Sequence, residues 1–166
     1  MVPQIARVAH PYGVGVYSSG GFDSLSAKWE AAARIVARPQ PTLVLHIGDY
    51  DPSGVSIFDS AEADVTQLVA DQAGDPGAVT FQRVAVTPEQ IARYSLPAAP
   101  PKVRDRRGDW TAATVQAEAL PPAVLADEVE EALCAHLDPE PLAVLLKLEA
   151  ADRDELLAVF EGGGEQ

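Results

Sequence analysis

Residues 42–54 read TLVLHIGDYDPSG in one-letter code, a continuous apolar run that leads into a short acidic turn. The run Thr42–Ile47 lies between a proline and a glycine and does not alternate with polar residues, which is typical of a strand buried on both faces of a parallel sheet. Ligands of open α/β sheets gather at the carboxyl ends of the strands. We therefore predict a buried strand whose end presents Asp49 and Asp51, and residues 48–54 are called the acidic turn below.

Strand and helix patterns alternate on both sides of this stretch. The residues before it predict a strand over Val14–Tyr17 and a helix from Ser24 to Ala37. The residues after it predict a helix from about Val55 to Asp71, a strand over Ala78–Val86 and a helix that begins at Thr87. The alternation favours a doubly wound α/β fold with a mainly parallel sheet flanked by helices.

The chain is long enough for one sizeable core. A proline-rich stretch after residue 95 cannot continue a helix and marks an extended connection. We therefore predict an α/β core over residues 1–95, a proline-rich and basic connection over 96–117, with a short strand near Thr114–Ala117, and an acidic helical region over 118–166. Two helices are expected in that last region, from Pro122 to about Leu137 and from Pro139 onward.

The net charge of −13 argues at first sight against nucleic acid, because phosphate repels an acidic surface. The charge is uneven, since residues 117–166 contain 13 acidic and 2 basic residues and residues 1–116 contain 12 and 10, which gives −11 and −2. The run from Lys102 to Arg107 reads KVRDRR and favours a local phosphate-facing patch, with ordinary solvated loop charges as the alternative.

The sequence contains neither an apolar span nor a signal-like start, so we expect a soluble, cytoplasmic protein that does not bind membranes. The single cysteine, Cys134, excludes an intrachain disulfide and is expected to be a small core residue.

The spacing of Asp49 and Asp51 allows both carboxylates to face one hard cation. Mg²⁺ (or Mn²⁺) is the natural ion, because it binds through one or two carboxylates and keeps waters for a substrate phosphate. Two alternatives remain open for the turn. It matches the first half of an EF-hand calcium loop, although the twelfth position is Ser60 and not glutamate, and it also suits a turn in which Asp51 or Ser53 caps the next helix.

Residues 45–54, LHIGDYDPSG, resemble the DxD motif of Toprim domains, closest to the topoisomerase VI A-subunit type. Residues 19–25, SGGFDSL, and the segments 81–90 and 118–122 resemble parts of Toprim-containing proteins of phage and mobile elements. The similarity covers roughly residues 12–125, and the ten residues that end at Gly54 are its most specific part.

This resemblance implies a Mg²⁺-binding domain of a DNA-processing system, in which Asp49 and Asp51 hold the ion for phosphoryl transfer of the nuclease or topoisomerase type. Toprim domains also carry a glutamate on an earlier strand, whereas no acidic residue precedes Val14 here. Three explanations stay open: a start that is missing, a protein partner that supplies the residue, or a catalytically degenerate interaction module. Glu118 is a speculative substitute if the chain returns it to the sheet edge.

A second resemblance concerns residues 16–24, VYSSGGFDS, which fit the SGGxDS pattern of PP-loop ATP pyrophosphatases. Gly20, Gly21 and Ser24 would then contact a phosphate through backbone N–H groups and the start of a helix. The alternative is a glycine turn in which Asp23 or Ser24 caps that helix.

Four basic residues are the candidate nucleic-acid contacts: Arg83, Lys102, Arg104 and Arg107. Their default alternative is an ordinary solvated surface.

Overall fold

The structure is a computed structural model, and it describes residues 1–18, 24–99, 110 and 112–162. Short 3-10 turns cover His10–Tyr12, Pro76–Ala78 and Ala117–Ala119. The helices and strands are α1 (Val2–Ala9), α2 (Leu25–Val36), β1 (Thr42–Ile47), α3 (Pro52–Ala73), β2 (Val79–Ala85), α4 (Pro88–Arg93), α5 (Pro122–Cys134) and α6 (Pro139–Gly162).

The centre of the fold is a parallel pair of strands joined by a long helix. β1 pairs with β2 from Thr42 opposite Val79 to His46 opposite Arg83, and a shift in register then brings Ile47 opposite Ala85. The 22-residue α3 makes the crossover that a parallel pair requires. The predicted strand over residues 42–47 and the parallel α/β arrangement are confirmed. The predicted burial of this strand on both faces is wrong, because all six of its residues are only half-buried.

The predicted strand over Val14–Tyr17 is wrong, and the sheet within the described residues has two strands. Gly13 ends the first 3-10 turn in the left-handed conformation, with φ of 68°. The Val14 N–H then donates to the Ala9 carbonyl at 3.2 Å, so it closes the end of α1 and pairs with no strand. Val16 packs its side chain on the core without joining the sheet.

Residues 114 and 115 lie in two isolated antiparallel bridges, in place of the short strand predicted over Thr114–Ala117. Thr114 pairs with Ala99, and Val115 pairs with Tyr50. The second bridge brings the segment after the proline-rich connection back to the acidic turn.

Helix α1 has no counterpart in the elements predicted from the sequence. It packs against α5, and Gln4 donates through its side-chain amide to the Pro122 carbonyl at 2.9 Å. Tyr12, just after α1, donates its hydroxyl to Glu130 of α5 at 2.6 Å. Helices α1 and α5 therefore pack directly against each other.

Two apolar clusters hold the fold together. One lies between α2, α3 and the start of β2, and its centre is Val65 and Val69, both fully buried. The other joins the end of β2 to α1 and α5, and it includes Val86 and Leu125. Because α5 supplies buried residues to this second cluster, the core extends past the predicted boundary at residue 118.

Helix α6 differs from the others, because almost all of its described side chains are exposed. None of the described helices combines the length and apolar character needed to cross a membrane.

We expect Leu125→Ala in α5 to destabilise the fold by about 2–5 kcal/mol, because Leu125 is 3% exposed and its removal leaves a cavity. The matched change Leu148→Ala in α6 should shift the free energy of unfolding by less than about 0.5 kcal/mol, since Leu148 is 57% exposed. Urea unfolding of both variants measures the difference. Equal, small effects would show that α5 is not part of the core.

Candidate metal site at the acidic turn

The acidic turn connects β1 to α3, and Asp51 begins that helix. Its backbone is extended, and its carboxylate Oδ1 accepts the Gly54 N–H at 2.6 Å. This is the geometry of a helix N-cap, with a negative charge at the positive end of the helix dipole. The capping alternative is therefore confirmed for Asp51.

Asp49 binds a distant segment of the chain. Its Oδ1 accepts the Ala117 N–H at 2.8 Å. The neighbouring Tyr50 exchanges two backbone hydrogen bonds with Val115, at 2.8 and 3.0 Å. The backbone therefore does return the residues just before Glu118 to the end of β1, which was the condition for Glu118 to take part in the site. Glu118 itself is exposed.

Arg83 on β2 holds the turn in place from the other side. Its guanidinium donates from Nη2 to the carbonyls of Gly48, at 2.9 Å, and Asp49. Nε donates to the Val86 carbonyl at 2.9 Å, and Nη1 makes a long contact of 3.5 Å with the Gly54 carbonyl. These bonds use four of the five guanidinium N–H groups.

Burial and the neighbouring groups act in opposite directions on the pKa of Arg83, and burial has the larger effect. Burial lowers the pKa of Arg83, whereas nearby Tyr50, Asp49, Asp59 and Asp51 raise it. An arginine stays protonated under such opposing effects. It therefore supplies a fixed positive charge beside the two carboxylates.

Gly54 allows the turn to close tightly. A Cβ atom at this position would collide with the backbone carbonyl oxygen of Asp49. The absence of a side chain thus brings the first turn of α3 against the residue that carries the first carboxylate.

His46 lies three residues before Asp49, at the end of β1. Its ring packs against Phe58, with 4.9 Å between the ring centroids. Its Nδ1 is buried and has no hydrogen-bond partner among the described residues. Burial, and to a lesser degree the charge of Arg83, lowers the pKa of His46 from 6.5 to about 4. The ring is therefore neutral at pH 7.

The described residues contain no group of three or more histidine, cysteine, aspartate or glutamate side chains that could hold a metal ion. Asp49, Asp51 and Glu118 are neighbours through the backbone but do not converge as a complete ligand set. Each aspartate accepts one backbone N–H through Oδ1, Asp51 from Gly54 and Asp49 from Ala117. A cation at this turn would be bound through the second oxygens, with water as its other ligands.

The EF-hand alternative is wrong. Residues 52–60, which would form most of the calcium loop, belong to helix α3. Ser60, at the twelfth position, accepts a hydrogen bond from Lys28 of α2 at 3.0 Å. It faces a neighbouring helix and not the turn.

Of the six other predicted site residues, the structure describes only Ser24. Ser24 caps α2, since its Oγ accepts the Ala27 N–H at 3.1 Å. Gly20, Gly21, Lys102, Arg104 and Arg107 lie outside the described residues. The phosphate-binding and nucleic-acid-binding roles of these five residues stay predictions.

The expectation that Cys134 is a core residue is wrong. Its thiol is exposed at the end of α5 and lies 3.7 Å from the Tyr12 hydroxyl.

Two site features were not predicted from the sequence. Arg83 was considered as a phosphate contact, but its bonds to the turn carbonyls depend on the register of β2, which no local pattern reveals. Trp110 packs on Tyr50 of the acidic turn, with 5.2 Å between ring centroids. An isolated tryptophan beyond a proline-rich segment gives no local signal of this contact.

No protein-family model, curated protein or solved structure matches the chain. The Toprim resemblance therefore depends on the motif residues themselves.

We expect Arg83→Lys to destabilise the protein by about 2 kcal/mol, because a lysine cannot replace a fork that bonds several carbonyls at once. Arg93→Lys is the matched control, since the Arg93 side chain is 69% exposed and lies 3.7 Å from Glu128. That change should have an effect below about 0.5 kcal/mol. Thermal and urea unfolding of the two variants test this. Equal losses of stability would show that Arg83 does not hold the acidic turn in place.

We expect His46 to make stability depend on pH. Its pKa is about 4 in the folded protein and 6.5 without the shift, so the unfolded chain binds more protons between these values. Stability should therefore fall as the pH is lowered from 6.5 towards 4, by about 1–2 kcal/mol once the partial exposure of the ring is allowed for.

The comparison is with His46→Leu, which removes both the proton site and the unpaired buried nitrogen. Urea unfolding between pH 7 and pH 5, where carboxylates contribute little, should show a smaller slope for the variant. Identical slopes for the two proteins would show that His46 does not titrate as described.

Proposed function

We propose that the acidic turn binds Mg²⁺ or Mn²⁺ and that the chain is a Toprim-like domain that acts on, or docks to, nucleic acid, with DNA as the favoured substrate. The observation that carries the proposal is the meeting of two chain segments at the end of β1. Asp49 and Asp51 follow the strand, and the Asp49–Ala117 hydrogen bond brings the backbone of Glu118 to the same edge.

The residues of the turn have separate roles in this proposal. Asp49 and Asp51 would offer carboxylate oxygens to the ion, and Glu118 is the nearest further acid along the returning segment. Arg83 positions the turn by fixing its carbonyls. A bound Mg²⁺ would supply charge stabilisation at a scissile phosphate.

A second candidate is a catalytically degenerate Toprim-like module that binds a protein partner. It is favoured by the use of both aspartates as backbone hydrogen-bond acceptors, a structural task that needs no metal. The two candidates differ in whether the turn has affinity for a divalent cation.

Calorimetric titration of Mg²⁺ and Mn²⁺ into the wild type, Asp49→Asn and Asp51→Asn separates them. Asparagine keeps an acceptor oxygen for the Ala117 and Gly54 N–H groups, so both variants should stay folded while each loses a negative charge. We expect each variant to bind the ions at least about tenfold more weakly than the wild type.

Asp75→Asn is the matched control. Asp75 also accepts a backbone N–H, from Gly77 at 2.8 Å, but it precedes β2 at the opposite end of the strand from the acidic turn. Its replacement should leave ion binding unchanged. If the wild type binds neither ion at millimolar concentration, the metal proposal is excluded and the interaction module remains.

A nicking assay on supercoiled plasmid with the same four proteins tests catalysis. Nicking that requires the divalent ion and is lost with Asp49→Asn and Asp51→Asn, but kept with Asp75→Asn, would make the protein a metal-dependent nuclease. Ion binding without nicking would favour a docking role.

A further inference from the structure

Helix α6 presents apolar side chains that the rest of the described chain does not cover. It has 24 residues and is about 36 Å long at 1.5 Å per residue. Leu145 is 49% exposed, Leu156 is 60% exposed and Phe160 is 79% exposed. An apolar helix surface of this extent on a water-soluble domain marks an interaction site.

Seven exposed residues of α6 and the half-buried Leu142 form a continuous stripe along the helix. At 100° per residue, the positions from Leu142 to Phe160 that lie within about 60° of one line combine apolar residues at both ends with one acid and one base in the middle. We call these eight residues the α6 stripe: Leu142, Leu145, Leu146, Glu149, Arg153, Leu156, Leu157 and Phe160.

The order of residues in the α6 stripe is nearly the same when the stripe is read backwards about Ala151. Glu149 and Arg153 lie two residues to either side of this point. The leucine pair 145–146 mirrors the pair 156–157, and Leu142 mirrors Phe160. A helix with this symmetry is complementary to a second copy of itself that runs in the opposite direction.

The charges select the direction of such a pairing. In an antiparallel pair, Glu149 of each helix lies level with Arg153 of the other, so both ion pairs form in a mostly apolar surrounding. A parallel pair in register would place Glu149 against Glu149 and Arg153 against Arg153. Near this level, Ala150 lies just beside the α6 stripe and is small enough for close approach of the two helices, whereas Ala151 lies on the opposite side of the helix.

The charges also argue for a second copy over a basic partner. The α6 stripe contains one acid and one base, so its charges cancel. The acidic residues Asp152, Asp154 and Glu155 extend from the same helix, but they lie beside the stripe or on its other faces. A basic partner would bind those faces, whereas the stripe, with six apolar residues and one charge of each sign, matches a surface with the same pattern.

We propose that the protein forms a homodimer in which α6 packs antiparallel on α6 of a second copy, centred on Ala151 and ordered by two Glu149–Arg153 ion pairs. One pair of helices gives a small interface, and the chain is acidic, so the dimer dissociates on dilution. This inference does not depend on metal binding.

Sedimentation equilibrium of the full chain, from about 1 to about 200 µM at low salt, measures the dimer. The wild type should shift from monomer to dimer across this range. E149R and R153E should each be monomeric, because each brings two pairs of like charges together. Both positions are exposed in the middle of a helix, so the variants should fold normally.

Two recovery experiments make the test specific. An equimolar mixture of E149R and R153E should form a heterodimer, since one chain then carries two bases and the other two acids. The double variant E149R/R153E should again form a homodimer. Matched reversal at Lys147→Glu, outside the α6 stripe, should leave the dissociation constant within about threefold of the wild type.

A wild type that stays monomeric throughout would overturn the proposal. A wild-type dimer that survives E149R and R153E, or single variants that do not recover on mixing, would also overturn it, because another surface would then form the interface.

Discussion

The Arg83 guanidinium is the constraint on which the geometry of the acidic turn depends. It lies at the end of β2, and its donors reach the carbonyls of Gly48, Asp49 and Gly54. These bonds connect the end of β1, the end of β2 and the start of α3. One side chain thus bonds carbonyls from both strand ends, including that of Gly48, which also accepts the Val86 N–H at 2.8 Å, and this fixes the backbone that carries both aspartates.

The two aspartates that are proposed to bind a cation also stabilise the fold. Asp51 stabilises the start of α3, and Asp49 accepts a hydrogen bond from Ala117, in the segment that leads to Glu118. A cation at this position would therefore bind to a turn whose backbone is already held in place by hydrogen bonds. The fixed positive charge of Arg83 offsets part of the negative charge of the two aspartates, whereas the neutral ring of His46 adds no charge.

Local patterns were sufficient for elements whose signals lie within one stretch of sequence. The bounds of β1, the cap of α4 at Thr87 and the starts of α5 and α6 at prolines follow from periodicity and capping chemistry. The extended segment at Val14–Tyr17 has the composition of a strand, but strand formation needs a partner edge, and that is a tertiary property. The contacts of Arg83 and the return of Ala117 to Asp49 likewise depend on residues far apart in sequence, so spacing alone could not reveal them.

The central claim is that the divalent ion is bound at the acidic turn and not by the many other carboxylates. Mn²⁺ broadens the nuclear magnetic resonance signals of nearby amides, so titration of a trace of Mn²⁺ into ¹⁵N-labelled protein locates the ion directly. The account predicts that the amides of residues 49–51, 53–54 and 117–118 broaden first. Broadening that begins in the acidic helices α5 and α6, or that is uniform over the surface, would contradict it.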